Sequence, residues 1–194
     1  RLIESGKDIF QKTENNNNSL HIAVSGLECN SEIIYILLIK ANELSKGDFD
    51  DYINSQNNNG KTPLSLACQN ASDWSGHEKV IELLISSGAD LNIQDEDGDT
   101  PLHIALYEGD SMRICGLLID QGASLDIENS EGGTVRGMMR VPEYILELMD
   151  EKEERDKLER KKKRKKTSRS VLTGSRERTG LSSGQLKSKK KKRK

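Results

Sequence analysis

The chain has 194 residues with 30 Lys/Arg and 32 Asp/Glu, a formal net charge of −2. That near-neutral sum conceals two oppositely charged parts. Residues 1–150 hold 10 basic and 26 acidic residues, whereas residues 151–194 hold 20 basic and 6 acidic ones. The composition therefore predicts an acidic folded body of about 150 residues followed by a basic tail.

Several classes of protein are excluded at this level. The longest unbroken apolar run has seven residues, 33–39, whereas a membrane-spanning helix needs roughly 20. No apolar segment typical of a signal peptide follows Arg1, and a first residue other than Met indicates a fragment or a processed product. An odd number of cysteines on apolar backgrounds favours reduced, buried thiols in an intracellular protein. These cysteines are Cys29, Cys68 and Cys115.

In chain order, the first elements predicted are incomplete copies of a repeated unit. Residues 2–9 have the pattern of a unit's end, and Leu-His-Ile-Ala at 20–23 has the pattern of the next unit's first helix. A second helix is predicted over 33–40. An insertion of about nine residues, 41–49, follows it, and residues 51–54 then read as the turn that closes the unit.

Two nearly complete copies follow. Residues 57–67 (NNNGKTPLSLA) match 95–105 (DEDGDTPLHIA), and 83–92 (LLISSGADLN) match 117–126 (LLIDQGASLD). The second pair is 34 residues apart and the first 38, which places the extra residues in the loop at 68–74. A last, degenerate copy begins at 129.

The residues at each boundary explain why such a unit folds. Thr62 and Thr100 precede a proline, so the Thr hydroxyl can cap a helix whose first turn tolerates the missing N–H. Gly88 and Gly122 follow Leu-Leu-Ile and predict helix ends at positive φ. Glycines in Asn/Asp-rich stretches predict tight turns; these are Gly60, Gly98 and Gly132.

The unit resembles the ankyrin repeat, whose signature includes T-P-L-H-x-A at a period near 33 residues. The resemblance implies an all-α repeat solenoid of stacked helix-turn-helix units with protruding β-turns. The predicted domains are an ankyrin domain (1–150), a charged helix (151–166) and a disordered basic tail (167–194). Within the domain we predict a partial repeat (1–12), three repeats (13–56, 57–94, 95–128) and a degenerate capping repeat (129–150).

No residue pattern supports catalysis, a cofactor or a metal. In the family, His21 and His103 would hydrogen-bond between neighbouring turns, and Ser65, which replaces His in one unit, could keep a local hydrogen bond. His77 occupies a common family position in a loop. The acidic run 95–99 resembles a calcium loop, but Leu106 stands where the bidentate Glu is required, so we interpret the run as a turn tip.

The family's contact positions imply a concave surface that binds another protein, with a basic or mixed-charge partner. They comprise Asn58, Asn59 and Lys61 on one turn, Glu96, Asp97 and Asp99 on the next, and Gln69, Asn70, Tyr107 and Glu108 at the inner helix ends. Tyr107 is the expected aromatic anchor. Trp74 is interpreted as a loop residue packed on the stack, with an exposed contact as the alternative.

Residues 144–158 place Ile145, Leu148 and Met149 on one apolar face, after which the tail is almost wholly charged. From residue 151 on, acidic-to-basic pairs four residues apart favour a solvated helix that runs out of the stack. Two basic clusters resemble nuclear-import signals. The first is Arg160, Lys161, Lys162, Lys163, Arg164, Lys165 and Lys166; the second is Lys189, Lys190, Lys191, Lys192, Arg193 and Lys194. Alternatives for this charge are nucleic-acid binding, an anionic membrane surface and folding back onto the acidic body.

These patterns predict a monomeric, non-catalytic adaptor located in the nucleus rather than the cytoplasm. An import receptor would read the tail. Two other classes stay open: a protein that binds nucleic acid through its tail, and a regulatory part of a larger enzyme or channel.

Overall fold

A computed structural model of the chain describes residues 9–26, 29–45, 47–71, 76–108, 112–138 and 141–174. The chain divides into two compact units, residues 1–152 and 153–194. The helices are α1 (Ser19–Val24), α2 (Ser31–Leu44), α3 (Phe49–Ile53), α4 (Pro63–Gln69), α5 (His77–Ser86), α6 (Pro101–Glu108), α7 (Met112–Asp120), a 3-10 turn (Val135–Gly137) and α8 (Glu143–Gly174).

Helices of the first unit form stacked pairs. The helix α1 packs against α2, α4 against α5, and α6 against α7. Across pairs, α4 contacts both α1 and α6 to form an inner row, and α5 contacts both α2 and α7 to form an outer row. The described residues contain one isolated antiparallel bridge, between Glu128 and Thr134, and no strand. The predicted all-α repeat solenoid is therefore confirmed.

The helix starts follow the predicted capping. Thr62 accepts a hydrogen bond from the backbone N–H of Ser65 at 3.1 Å, directly before Pro63. The Thr100 hydroxyl accepts from the N–H of His103 at 3.4 Å. In the first pair, Asn18 replaces Thr and its side chain accepts from His21 N–H at 3.1 Å. Each cap satisfies a backbone donor that the helix itself cannot satisfy.

The predicted glycine ends are also present. Gly88 and Gly122 both have φ of +101°, a conformation that a side chain would strain. The following N–H groups, of Ala89 and Ala123, return to carbonyl oxygens five residues earlier at 3.0 Å. These bonds satisfy helix-end acceptors and turn the chain towards the next unit.

The predicted insertion differs from the structure. The helix α2 has 14 residues instead of the predicted eight. The helix α3 occupies the end of the predicted insertion and residues 51–53 of the predicted turn, so that turn assignment is wrong. The reason is burial: Tyr52 is 5% exposed and Ile53 0%, so a short helix places two adjacent apolar side chains in the core. Asn54 nevertheless accepts a bond from Asp90 N–H at 2.8 Å, as Asn92 does from Ser124 N–H at 2.7 Å.

At its carboxyl end the stack is closed by the 3-10 turn and the first turns of α8. Val135, Ile145 and Met149 are all 0% exposed, and Leu148 Cδ1 lies 3.6 Å from the position that a Cβ on Gly116 of α7 would take. Thus α8 begins before the predicted charged helix and its first turns are part of the core.

The second unit contains the remainder of α8. The sequence predicts a helix over 151–166 and disorder from 167, whereas α8 continues to Gly174, where glycine is the least favourable helix residue except proline. Residues 175–194, including the second basic cluster, lie outside the described residues. In the described part of the chain, none of the helices combines the length and apolar character needed to cross a membrane.

Candidate protein-interaction surface

Four turns project beside the inner helices, and a backbone ladder stacks them. Asn58 N–H donates to Asn15 O at 3.0 Å, Glu96 N–H to Asn59 O at 3.2 Å, and Ser130 N–H to Asp97 O at 2.9 Å. Because each rung joins one turn to the next, the tips are held in a fixed row.

Each of the last three turns is built around one side-chain oxygen. Asn57 Oδ1 accepts from two backbone N–H groups within its turn, both at 3.0 Å. Asp95 Oδ1 does the same at 3.1 and 2.9 Å, and Asn129 Oδ1 at 3.2 and 2.9 Å. Burial raises the pKa of the Asp95 carboxyl, although hydrogen bonds from Asp99 and Asp97 oppose this.

This geometry also explains the acidic run that resembles a calcium loop. The Asp95 oxygen is occupied by backbone N–H groups, so the run is a turn tip, as predicted. Among the described residues, no group of three or more His, Cys, Asp or Glu is placed to hold a metal ion.

Two glycines are required by the close approach of neighbouring turns. Gly60 and Gly98 have φ of +70° and +76°. A Cβ on Gly60 would lie 2.7 Å from Glu96 N, and one on Gly98 would lie 2.6 Å from Ser130 N. Gly132, at the last turn, has φ of +77° but no atom within 4 Å of such a Cβ.

As predicted, His21 and His103 hydrogen-bond between neighbouring repeats. His21 Nε2 lies 3.0 Å from Lys61 O, and His103 Nε2 lies 3.3 Å from Gly133 O. Burial lowers the pKa of His21, which favours the neutral imidazole, although the bond to Lys61 O opposes the shift. Ser65 keeps a local contact, with its Oγ 3.1 Å from Thr62 Oγ1. His77 is 1% exposed on α5.

The cysteines lie in or beside the core, as predicted. Cys68 and Cys115 are 1% and 0% exposed. Burial raises the pKa of both thiols, that of Cys115 to about 11. Cys29 is only partly buried, and burial raises the pKa of its thiol too. A raised pKa keeps these groups protonated and unreactive.

The structure divides the predicted contact residues into two groups. Four of them hold the framework. Lys61 Nζ donates to Gln69 Oε1 at 2.9 Å, Asp99 Oδ1 accepts from Asn129 at 2.9 Å, and the amide of Asn70 donates to Leu66 O at 2.9 Å.

Asn58 and Asn70 combine the two properties, since both are exposed and their amides donate to Glu14 O at 3.1 Å and to Leu66 O at 2.9 Å. The remaining described residues of the set are exposed and project from the row: Asn59, Glu96, Asp97 and Tyr107, the last 56% exposed. The Glu108 side chain and Trp74 lie outside the described residues.

Sequence reasoning missed one apolar residue beside this row. Ile22 is 57% exposed on α1, at the x position of Leu-His-x-Ala. Its counterparts are the half-buried Leu66 and Ile104, which is 5% exposed. The variable x position was the available signal, but the repeat pattern alone assigns it to packing.

The basic segment of α8 presents its charge to solvent. Arg160 and the next five residues, to Lys165, are all exposed. N-terminal to them, Lys157 Nζ lies 3.7 Å from Glu153 and 3.1 Å from Glu154. The first of these pairs was predicted from its i,i+4 spacing. Hydrogen bonding and attraction to Glu154 raise the pKa of Lys157. The side chain of Lys166 lies outside the described residues.

Stacked helix pairs, a row of projecting turns and histidine bridges together define a repeat protein built to present a surface. The family described as ankyrin repeats (3 copies) matches residues 1–95 and 70–135. The chain therefore belongs to the ankyrin-repeat family, whose repeats are protein–protein interaction modules.

Individual relatives cover parts of the chain. The target of rapamycin complex 2 subunit AVO2 of Saccharomyces cerevisiae is 33% identical over 110 residues, 56% of this chain and 22% of that protein. NF-kappa-B inhibitor alpha of Gallus gallus is 33% identical over 99 residues, 51% of this chain and 27% of that protein. The fibronectin type 3 and ankyrin repeat domains 1 protein of Mus musculus is 49% identical over 47 residues, 24% of this chain and 12% of that protein. The chain thus spans less than a third of these relatives' lengths.

Proposed function

We propose that this chain is a non-catalytic adaptor that binds a basic or mixed-charge protein on its inner surface. By inner surface we mean the row of turn tips and the exposed sides of α1, α4 and α6. The observation that carries the proposal is a rigid row of exposed acidic, amide and aromatic groups, Asn59, Glu96, Asp97 and Tyr107. A backbone ladder holds the three turn residues and α6 holds Tyr107, so a partner would bind without the cost of ordering loops.

Names of the relatives support a regulatory role of this kind, since one is called an inhibitor and another a complex subunit.

The test is crosslinking capture in cells with Glu96→Lys and Tyr107→Ala. The matched control is Glu82→Lys, the same charge change at an exposed position of α5. A partner that binds the inner surface would be captured by the wild-type chain and by Glu82→Lys, and lost with the other two. Equal capture by all four chains would refute the inner surface.

We further propose that the two basic clusters direct the protein to the nucleus. Support comes from the exposure of residues 160–165 and from the density of positive charge. The chain would be fused to a carrier too large to diffuse through the nuclear pore, with both clusters intact or changed to Ala. Nuclear signal that the changes abolish is the expected result, and cytoplasmic signal in both cases would reject targeting.

A second candidate, binding to nucleic acid, is favoured by the helical form of the first cluster. One cation per residue at a rise of about 1.5 Å is close to the one phosphate charge per about 1.7 Å of a duplex. Deleting residues 160–194 separates the candidates, because an adaptor keeps its partner and a tail-bound nucleic acid is lost. Nucleic-acid affinity should also fall steeply with salt.

A further inference from the structure

The outer row of helices carries an apolar patch that the inner surface does not include. Four apolar side chains of α2 are exposed by 39–54%: Ile33, Tyr35, Ile36 and Ile39. Contiguous exposed apolar groups of this kind mark interaction sites in proteins.

The other outer helices show that this patch is not a general property of the repeat. When the buried positions 34, 37, 38 and 41 of α2 are aligned with 77, 80, 81 and 84 of α5, and 80, 81 and 84 with 114, 115 and 118 of α7, Ile39 corresponds to the exposed Glu82 of α5 and to Gly116 of α7. Gly116 is covered by Leu148 of the amphipathic start of α8. The same position is thus charged on α5, covered by a helix on α7, and apolar and open on α2.

The pattern along α2 specifies the shape and charge of what could cover it. Glu32, Ile36, Ile39 and Glu43 are spaced i, i+4, i+7 and i+11, which places them in one stripe along the helix. The stripe is about 16 Å long at 1.5 Å per residue, apolar at its centre and acidic at both ends. Lys40 lies beside it and pairs with Glu43 at 2.7 Å.

Self-association does not suit this stripe. In an antiparallel pair of α2 helices, Glu32 of one copy would face Glu43 of the other. In a parallel pair in register, each glutamate would face its own counterpart. Glutamates face each other in both arrangements, a repulsion that Lys40 beside Glu43 offsets only at one end of each stripe, and this disfavours a second copy as the occupant. The helix α3, which packs against α2, adds the exposed acids Asp50 and Asp51 to the surroundings.

We propose that the stripe on α2 is a docking surface for an amphipathic α-helix of a partner protein, apolar at its centre and basic at both ends. About three turns of such a helix match the stripe, and its terminal Lys or Arg side chains would reach Glu32 and Glu43. This surface is separate from the inner surface and does not depend on the function proposed for it.

The test is fluorescence anisotropy with two synthetic stapled helices of 14 residues. Both carry Leu at i, i+3, i+4 and i+7, and they differ only in having Lys or Glu at their ends. The 194-residue chain should bind the Lys-ended helix at least about tenfold more tightly than the Glu-ended helix. The variant Ile36→Gln/Ile39→Gln should weaken binding of the Lys-ended helix by about tenfold.

Two matched variants keep the result interpretable. Ile22→Gln makes the same exposed apolar-to-amide change on α1 and should leave binding within about twofold. Glu96→Lys changes the inner surface and should also leave it unchanged, whereas a loss would mean that the peptide binds there and would overturn the proposal. Equal binding by wild type and the α2 variant would overturn it too. So would a dimer in sedimentation velocity that the α2 variant abolishes, since the face would then serve self-association.

Discussion

The turn 57–60 and the turn 95–98 have the same backbone and different chemistry. In both, one side-chain oxygen accepts two backbone N–H groups, and a glycine at positive φ lies against the next turn. Yet the first exposes Asn58 and Asn59, and the second exposes Glu96 and Asp97. The repeat therefore constrains a few framework atoms in each turn and leaves the tip free to vary, which is how one scaffold serves different partners.

The largest effect should come from breaking the contact between turns. Gly98→Ala would combine a strained φ with a Cβ 2.6 Å from Ser130 N, and we expect a loss of about 2–4 kcal/mol in the free energy of unfolding. Gly132→Ala has the same φ without the contact and should lose only about 1–2 kcal/mol. Urea unfolding of both variants measures the difference. Equal losses would show that the close approach of the turns at Gly98 adds nothing to the cost of the strained φ.

A second prediction exchanges the framework atoms of the two turns. Asp95→Asn keeps the accepting oxygen, as in Asn57, and removes a carboxylate whose pKa burial raises. Its stability at pH 7 should equal or exceed that of the wild type, by less than about 1 kcal/mol. Asp95→Ala leaves two N–H groups without their acceptor and should lose about 1–3 kcal/mol. Equal losses of stability in Asp95→Asn and Asp95→Ala would show that the negative charge of Asp95, and not its accepting oxygen, stabilises the turn.

A third prediction concerns how the free energy of unfolding depends on pH. It follows from the residue at the bridging position, which is His21 in one repeat and Ser65 in the next. Burial lowers the pKa of His21 in the folded state, so the unfolded chain, with an ordinary pKa near 6.5, binds the proton first as pH falls. The free energy of unfolding should therefore decline as the pH is lowered through the region near 6.5. In His21→Gln the slope should be smaller; an unchanged slope would assign the effect to other groups.

The smallest effect should come from the outer row. Arg113 of α7 lies 2.8 Å from Glu78 of α5 in the neighbouring repeat, but the side chains are 74% and 38% exposed. Solvent screens such pairs, so Arg113→Ala should change the free energy of unfolding by less than about 0.5 kcal/mol. A loss above about 1 kcal/mol in thermal or urea unfolding would mean that this pair fastens the outer helices together.

Most of the framework was predictable because it depends on local chemistry. Thr62 before Pro63 starts a helix, Gly88 at positive φ ends one, and Asp95 in an acidic run organises a turn, whatever surrounds them. The predictions were less accurate where burial decides. The residues 49–53 form a helix because Tyr52 and Ile53 pack inward; Asp48 precedes it but makes no side-chain cap hydrogen bond.

The candidate site shows the same division. Sequence reasoning selected the turn residues, but it could not separate Lys61, whose ammonium is bound by Gln69, from Asn59, whose side chain is exposed. It also missed Ile22 and the stripe on α2, because an isoleucine in a repeat helix is equally consistent with packing. Exposure depends on which neighbour covers the residue, and that is a property of the stack.

By itself, the amino-acid sequence determined the family, the helix starts at Thr62 and Thr100, the role of the bridging histidines and the separation of acidic from basic charge. These follow from residue types at fixed spacings, whose preferences act within one or two turns of chain. Only the tertiary structure decided which polar side chains are already engaged, that the start of α8 closes the stack over α7, and that α2 keeps an open apolar stripe. Those outcomes depend on contacts between units, where burial and hydrogen bonding join residues tens of positions apart.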